Sequence, residues 1–376
     1  MNQIQDHEHV LTQLETLKKA SRDLQNNTIF TSNESHVASI KLLLDHEIKP
    51  DSVFSTNLNF FRLNQLLCNL KTLLKKLEKY QDFGLSSLLH RQIIRYKICQ
   101  VAYAIEREIQ AYIDRESVKN LVKVLEKPTA DDDDVVDDDE EEKIEVLVDF
   151  VQRLSNGFDG DFQDLILKAK VFSIFEILLC DFTCSKRVRE HVSLAIEALV
   201  NFNRNVFVGL VLMGPTIQAL INMNSSCSIR VLCSLINLIR SPLIDEIHSK
   251  GQIPEIITFL SFNDLSIQVA AMDCICQIAY FGRREVIEEM IKQELIIDKL
   301  MELQRSINTT DQNPDDDSPF SSWVSRFAVQ VEVGEGLSSK EKMEIKLEIL
   351  KRVKEASVSE AETATIVAQV LWGSSP

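Results

Sequence analysis

The stretch "AMDCICQIAYFG", residues 271–282, occurs in altered form twice more upstream. Forty residues earlier stands "VLCSLINLIRSP" from Val231, and forty before that "HVSLAIEALVNF" from His191. No gap is needed to align them. Val192, Leu232 and Met272 fall in register, then Ala195, Leu235 and Ile275, then Ala198, Leu238 and Ile278. Steps of three mark the core side of one recurring amphipathic helix. A second apolar helix precedes each copy: "VFSIFEILLCDF" (171–182), "PTIQALINMNSS" (215–226) and "QIPEIITFLSFN" (252–263). Gly214 and Gly251 open two of these units. Paired or tripled helices at this period describe an α-solenoid, whose units cannot bury their apolar faces alone and must stack.

Composition points the same way. The 376 residues are 45% apolar, with only 10 Gly and 8 Pro, fewer than turn-rich β architectures need. The expected fold class is all-α: an N-terminal helical bundle followed by an α-solenoid. The net charge is −16, and ten carboxylates lie between Asp131 and Glu142. That balance opposes binding to a bare phosphate backbone, so no nucleic acid is expected. The eight cysteines sit mostly inside apolar helical patterns and read as buried free thiols of a reducing compartment. The polar start "MNQIQDHEHVLTQL" lacks a signal-peptide core, and the longest apolar run, "FVGLVLM", is far below a spanning length. A cytoplasmic and/or nuclear chain follows.

Residues 1–128 read as the bundle. Val10, Leu14, Leu17 and Leu24 share one face, Val37, Ile40, Leu43 and Leu44 a second, and Leu63, Leu66, Leu70, Leu73 and Leu77 a third, closed by Gly84. Ile94, Ile98, Val101, Ile105, Ile109, Tyr112 and Ile113 line a fourth helix, with a break expected near Asp114–Ser117. Residues 129–143 read as an acidic linker, because block-like charge repels itself and stays solvated. Repeats follow over 144–338, with a polar insertion, "INTTDQNPDDDS" (307–318). "AVQVEVGE" (328–335) alternates like a strand, but Trp323 and Phe327 begin a helical stripe. Ser338 with Glu341, and Ser357 with Glu360, read as capping boxes for helices over 339–356 and 360–372, a C-terminal cap within 339–376.

"KGQIPEIITFLSFNDLSIQVAAMDCICQIAYFGRREVIEEMIKQE" (250–294) resembles an armadillo repeat, with its Gly-x-Ile-Pro opening. The similarity covers about 145–305 and continues through "PFSSWVSRFAVQVEVGEGL" (319–337). Residues 1–128 resemble the helical domain before the U-box of plant armadillo proteins, and the ending "EASVSEAETATIVAQVLWGSSP" (355–376) resembles a plant armadillo family. The space where a U-box would stand holds only the acidic run, so the resemblance implies no ligase activity.

No constellation for catalysis stands out, and a non-enzymatic chain without cofactor or metal is expected. Gly334-Glu335-Gly336 is the only close glycine pair, too little for a phosphate loop. His7-Glu8-His9 lacks a third ligand, and Cys180/Cys184 and Cys274/Cys276 lack zinc-knuckle spacing. His191 reads as a packing residue.

The armadillo resemblance implies a groove lined by the third helix of each unit. The position that carries Asn in many such proteins is Glu197, Asn237 and Gln277 here, and the Trp-ladder positions are Ser193, Cys233 and Asp273. Without that ladder, recognition of nuclear localisation signals is not implied. Glu190, Arg230, Asp273, Tyr280 and Arg284, with Arg240, complete a mixed-sign lining suited to a folded or mixed-charge protein or peptide partner. Lys71, Lys75, Lys76 and Lys79 offer a basic face for anionic lipid, though solvated bundle lysines explain them as well, and a membrane partner is not expected. An adaptor for a separate ubiquitin ligase stays open, as does the oligomeric state.

Overall fold

The computed structural model describes residues 2–27, 61–79, 85–127, 136–292, 296–308 and 323–372. Among them are eighteen α-helices, one 3-10 turn and no strand. The Val37–Leu44 stripe, the stop at Gly84, the first half of the acidic run and most of the 307–318 insertion lie outside the described residues, as do the side chains of His7, His9, Val10 and Lys79. No single described helix is long and apolar enough to cross a membrane. The chain divides into two units, Met1–Asn120 with Asp159–Ala169, and Leu121–Phe158 with Lys170–Pro376.

The first unit is built on α1 (Asn2–Asn27), α2 (Phe61–Lys79) and α3 (Leu85–Leu125). Leu14, Leu17 and Leu24 of α1 pack with Leu63, Leu70 and Leu74 of α2 and with Ile94, Ile98, Ile105 and Ile109 of α3. Leu66, Leu73 and Leu77 of the 3-4-3-4 stripe are only partly buried, while Leu74, which widens that stripe, is buried with Leu63 and Leu70. Arg22 and Gln25 both reach Glu106, at 2.6 and 2.8 Å, tying α1 to α3 across their polar edge. α3 does not break at Asp114–Ser117. Asp114 is buried there and accepts from the Gln110 carboxamide at 2.7 Å, so the polar residues are satisfied within the helix. The short α5 (Gly160–Lys168), N-capped by Asp159, belongs to this unit, and Arg107 reaches its Asp161 at 2.5 Å.

The second unit is the repeat stack. α4 (Val136–Ser155), α7 (Lys186–Phe202), α10 (Ser226–Ile239), α13 (Leu265–Phe281) and α16 (Trp323–Val333) pack each on the next, forming one continuous ladder. Behind it lie α6 (Val171–Cys180), α9 (Thr216–Asn222), α12 (Ile253–Thr258, extended by a 3-10 turn at Phe259–Ser261) and α15 (Ile296–Asn308). α8 (Arg204–Met213), α11 (Ser241–Ser249) and α14 (Arg284–Lys292) link one ladder helix to the next back-layer helix.

The 40-residue columns are the core. Val192, Leu232 and Met272 are fully buried, as are Ala195, Leu235 and Ile275. Each of the Val, Leu, Ile and Met side chains among them contributes about 1.5–3 kcal/mol when a neighbouring unit covers it. In the third column Ile278 is buried but Ala198 and Leu238 are only partly so, and Ile196 with Ile236 complete the seam instead. Ser185, Ser225 and Asp264 cap the ladder helices through side-chain oxygens. The two opening glycines act differently. Gly251 sits at φ 68, where only glycine is unstrained. Gly214 has an ordinary φ, but a Cβ there would lie 1.9 Å from the carboxylate of Glu176.

Two expectations at the chain's junctions need correction. The acidic run is not linker through residue 143, because helix begins at Val136. Carboxylates are favoured at a helix N-terminus, and the run gains cationic partners: Lys127 binds Glu142 at 2.6 Å, and Arg187 of α7 binds Glu141 at 2.7 Å. At the other end, α17 (Ser339–Ala356) carries the expected Ser338/Glu341 capping box, and "AVQVEVGE" is helical except for its last two residues. The box before α18 (Glu360–Trp372) is shifted by two: Ser359 accepts from the Glu362 amide, and Glu362 accepts from the Val358 amide. Arg305 fixes that shift by gripping Glu362 at 2.6 and 3.2 Å and the Ala356 carbonyl at 2.7 Å.

Candidate peptide-binding face

The solvent side of the ladder helices holds most of the expected residues. Glu190 and Glu197 lie two turns apart on α7, Arg230 and Asn237 likewise on α10, and Asp273, Gln277 and Tyr280 follow one side of α13. Contacts between successive ladder helices bring the rows together. Ser234 of α10 donates to Glu197 at 2.5 Å. Arg326 of α16 pairs with Asp273 at 2.6 Å.

The 40-residue column thus splits in chemistry. Glu197 is half-buried and already accepts a hydrogen bond from the next unit. Asn237 is exposed and Gln277 half-buried, and neither carboxamide makes a hydrogen bond among the described residues. Glu190 is half-buried and Arg230 exposed, its guanidinium 3.3 Å from the Ser226 hydroxyl. At the Trp-ladder positions Ser193 is buried, donating to the Glu190 carbonyl at 2.6 Å, and Cys233 is half-buried.

Tyr280 and Arg284 serve the scaffold. The Tyr280 ring meets Phe281 edge-on at 4.7 Å, while its carbonyl accepts the amides of Glu335 and Gly336 at 2.8 and 3.2 Å. Arg284 stands on α14, outside the ladder, held by Glu288 at 2.7 Å and Glu344 at 2.8 Å. Arg240 closes α10 beneath its own contacts, over the Phe281 ring at 5.6 Å. Arg326 was not found from sequence, because the 307–318 insertion breaks the 40-residue register before its helix.

The thiols along this layer are inert in character. Burial pushes Cys233 up to about 11 and Cys276 up to about 12, and it raises the Cys274 thiol well above its ordinary value. Cys227 is raised by burial and then by the carboxylate of Glu190. A protonated, desolvated thiol is a poor nucleophile and metal ligand. Among the described residues no group of three or more His, Cys, Asp or Glu side chains is arranged to hold a metal ion. His191 is half-buried, and its Nδ1–H donates to the Arg187 carbonyl at 2.9 Å.

No protein-family model matches the chain. No curated protein matches it either. Among solved structures it is similar to "Designed armadillo repeat protein YIII(Dq)4CqI", with 16% identity and a TM-score of 0.43 over 67% of this chain and 99% of that one. A structure of computationally designed armadillo repeat proteins for modular peptide recognition gives 18% identity and 0.44 over 67% and 99%. "Designed armadillo repeat protein YIII(Dq.V1)4CPAF in complex with peptide (KR)4" gives 18% and 0.45 over 68% and 98%. None of them bears on the plant resemblance or on that of residues 1–128. The helix order stands on its own packing: three-helix units at a 40-residue period, one helix of each stacked into a ladder, make the second unit an armadillo-type α-solenoid.

Proposed function

We propose that the protein is a non-enzymatic interaction scaffold whose ladder helices hold an extended segment of a protein partner. The observation that carries this reading is the pair of unengaged carboxamides, Asn237 and Gln277, on neighbouring ladder helices. A carboxamide donates and accepts at once, which is what an extended peptide backbone asks of a surface. Helices packed side by side stand about 8–10 Å apart, so such amides meet a strand at intervals near its own side-chain repeat of about 7 Å. Of the charges on this face, Asp273 is matched by Arg326, and Arg230 meets the Ser226 hydroxyl. A partner of mixed charge therefore suits this face better than a uniformly basic one.

The test captures partners with the full-length protein and with its Asn237→Ala, Gln277→Ala double variant, followed by titration of the partner's segment. Each lost hydrogen bond is worth about 0.5–1.5 kcal/mol, so the double change should weaken binding roughly 5- to 100-fold. Unchanged affinity in a variant with wild-type helicity would remove the ladder face from consideration.

A further inference from the structure

α3 carries two apolar faces. The first, with Ile94, Ile98, Ile105 and Ile109, is buried in the bundle core. Half a turn away stand Leu89, Ile93, Tyr96 and Tyr103, each between 54 and 67% exposed. Gln100 completes them into an unbroken 4-3-4-3 row from 89 to 103. That is the a/d seam of a coiled coil, with Leu89, Tyr96 and Tyr103 at d and Ile93 and Gln100 at a. Gln100 is exposed, and its carboxamide makes no hydrogen bond among the described residues. The next a position is Arg107, whose charge is met by Asp161 at 2.5 Å, so the apolar seam ends there. His90, Gln92, Lys97 and Cys99 flank the row, and of these Lys97 alone carries a fixed charge.

We infer that this seam joins two copies of the chain, with their α3 helices running parallel. The four large side chains offer about 500 Å² per copy, so pairing buries about 1,000 Å², enough for a specific but weak interface. A dissociation constant of about 1–100 µM corresponds to that size. The direction follows from the order of residues. Parallel helices set each seam residue against its own counterpart, so Leu89, Ile93 and the two tyrosines meet like with like. The Gln100 carboxamides then hydrogen-bond each other across the seam, which fixes the register. Antiparallel helices set a positions against d positions, and Leu89 would face Gln100 or Arg107 of the second copy. The contact is isologous, so it closes at two copies and leaves no free seam. It does not rest on the ladder-face reading.

Sedimentation velocity of the full-length protein under reducing conditions, from about 1 to about 200 µM, should show a monomer passing to a dimer. Ile93→Glu and Tyr96→Glu, both at exposed positions, should stay monomeric throughout with unchanged helical circular dichroism. Gln100→Glu and Gln100→Lys should each weaken the dimer roughly 100-fold by setting like charges against each other. Mixing those two variants should restore it, because only parallel helices in register put residue 100 opposite residue 100. A single monomeric species across the whole range overturns the inference. So does a dimer that survives both Ile93→Glu and Tyr96→Glu, or one that mixing fails to restore. A monomer whose Tyr96 and Tyr103 resist nitration by tetranitromethane also overturns it, and assigns the face to the Val37–Leu44 stripe of the same chain. Binding to anionic vesicles that is lost in Tyr96→Glu, without any dimer, overturns it in favour of a membrane surface.

Discussion

Gly336→Ala tests the seam between the last two ladder helices more sharply than any change to an apolar core residue. A Cβ at Gly336 would lie 2.0 Å from the Gly282 carbonyl oxygen, 2.7 Å from its carbon and 2.8 Å from the Phe281 oxygen. All three are backbone atoms at the end of α13, so no side chain can swing aside to make room. The loop has to withdraw, and doing so breaks the amide bonds from Glu335 and Gly336 to the Tyr280 carbonyl. Two such bonds account for about 2 kcal/mol, and the strain of partial accommodation adds about 1–3 kcal/mol. A loss of about 3–5 kcal/mol is a large share of the roughly 5–15 kcal/mol that holds a folded domain. Urea unfolding followed by circular dichroism should show a lower midpoint, and amide exchange should accelerate in α17 and α18 ahead of the rest. Gly209→Ala supplies the contrast. It lies inside α8 with nothing within 4 Å of the added methyl, and should gain about 0.5–1 kcal/mol. If Gly336→Ala changes stability by less than about 0.5 kcal/mol, the close approach that fixes the seam is not there.

Glu176 should report on pH. Burial holds its carboxyl above the usual glutamate range, against the opposing hydrogen bond from Thr216 at 2.9 Å. The folded state therefore binds this proton more tightly than the unfolded chain does. Its contribution is full below the ordinary glutamate pKa of about 4.3 and is lost as pH rises through the raised value. Glu176→Gln keeps an acceptor for Thr216 and removes the desolvated charge, so it should be more stable than wild type at neutral pH, the gap closing toward about pH 4. Denaturation midpoints across that range decide it, and a gap that widens in acid would reverse the assignment. The thiols make a third test: with iodoacetamide at about pH 8, exposed Cys68 should alkylate first while Cys274 and Cys276 stay unmodified until urea unfolds the chain. Mass spectrometry of timed digests reads the order, and early labelling of Cys274 would contradict its complete burial.

The repeat core was legible because a column of aliphatic residues every 40 positions has no other use than stacking. Its limits show where pattern gives way to pairing. Asp114 looked like a helix breaker until Gln110 was found beside it, four residues earlier on the same face. The acidic run looked solvated because its cations are distant in sequence, Arg187 being 46 residues beyond Glu141. The second capping box was misplaced by two residues because Ser357 and Ser359 both stand three before a glutamate. The choice was made by Arg305, which lies 57 residues before Glu362. Gly334 and Gly336 were weighed as a phosphate loop and set aside, but composition gave no hint that backbone from α13 passes against them. Apart from Asp114, whose partner lies one turn back on its own helix, each miss involves a partner outside the helix under inspection.

The candidate face follows the same logic. From sequence its lining is a mixture of free charges, and a partner would be chosen by complementing them. In the folded chain Asp273 and Arg326 meet at 2.6 Å, both close to half exposed, and Arg187 meets Glu141 at 2.7 Å with both more exposed still. Exposed pairs of this kind are worth about 0–1 kcal/mol, so a charged partner that displaces one gains little by taking its place. Glu197 is more firmly committed, because it is half-buried and its hydrogen bond comes from the next unit. What is left to favour a bound state is the set of groups with nothing to give up. Asn237 and Gln277 lose only water when a peptide backbone arrives, and they recur at the period of the fold itself. On the proposed reading, the charged residues of this face govern which partners are tolerated, while the two carboxamides hold the chain that is accepted.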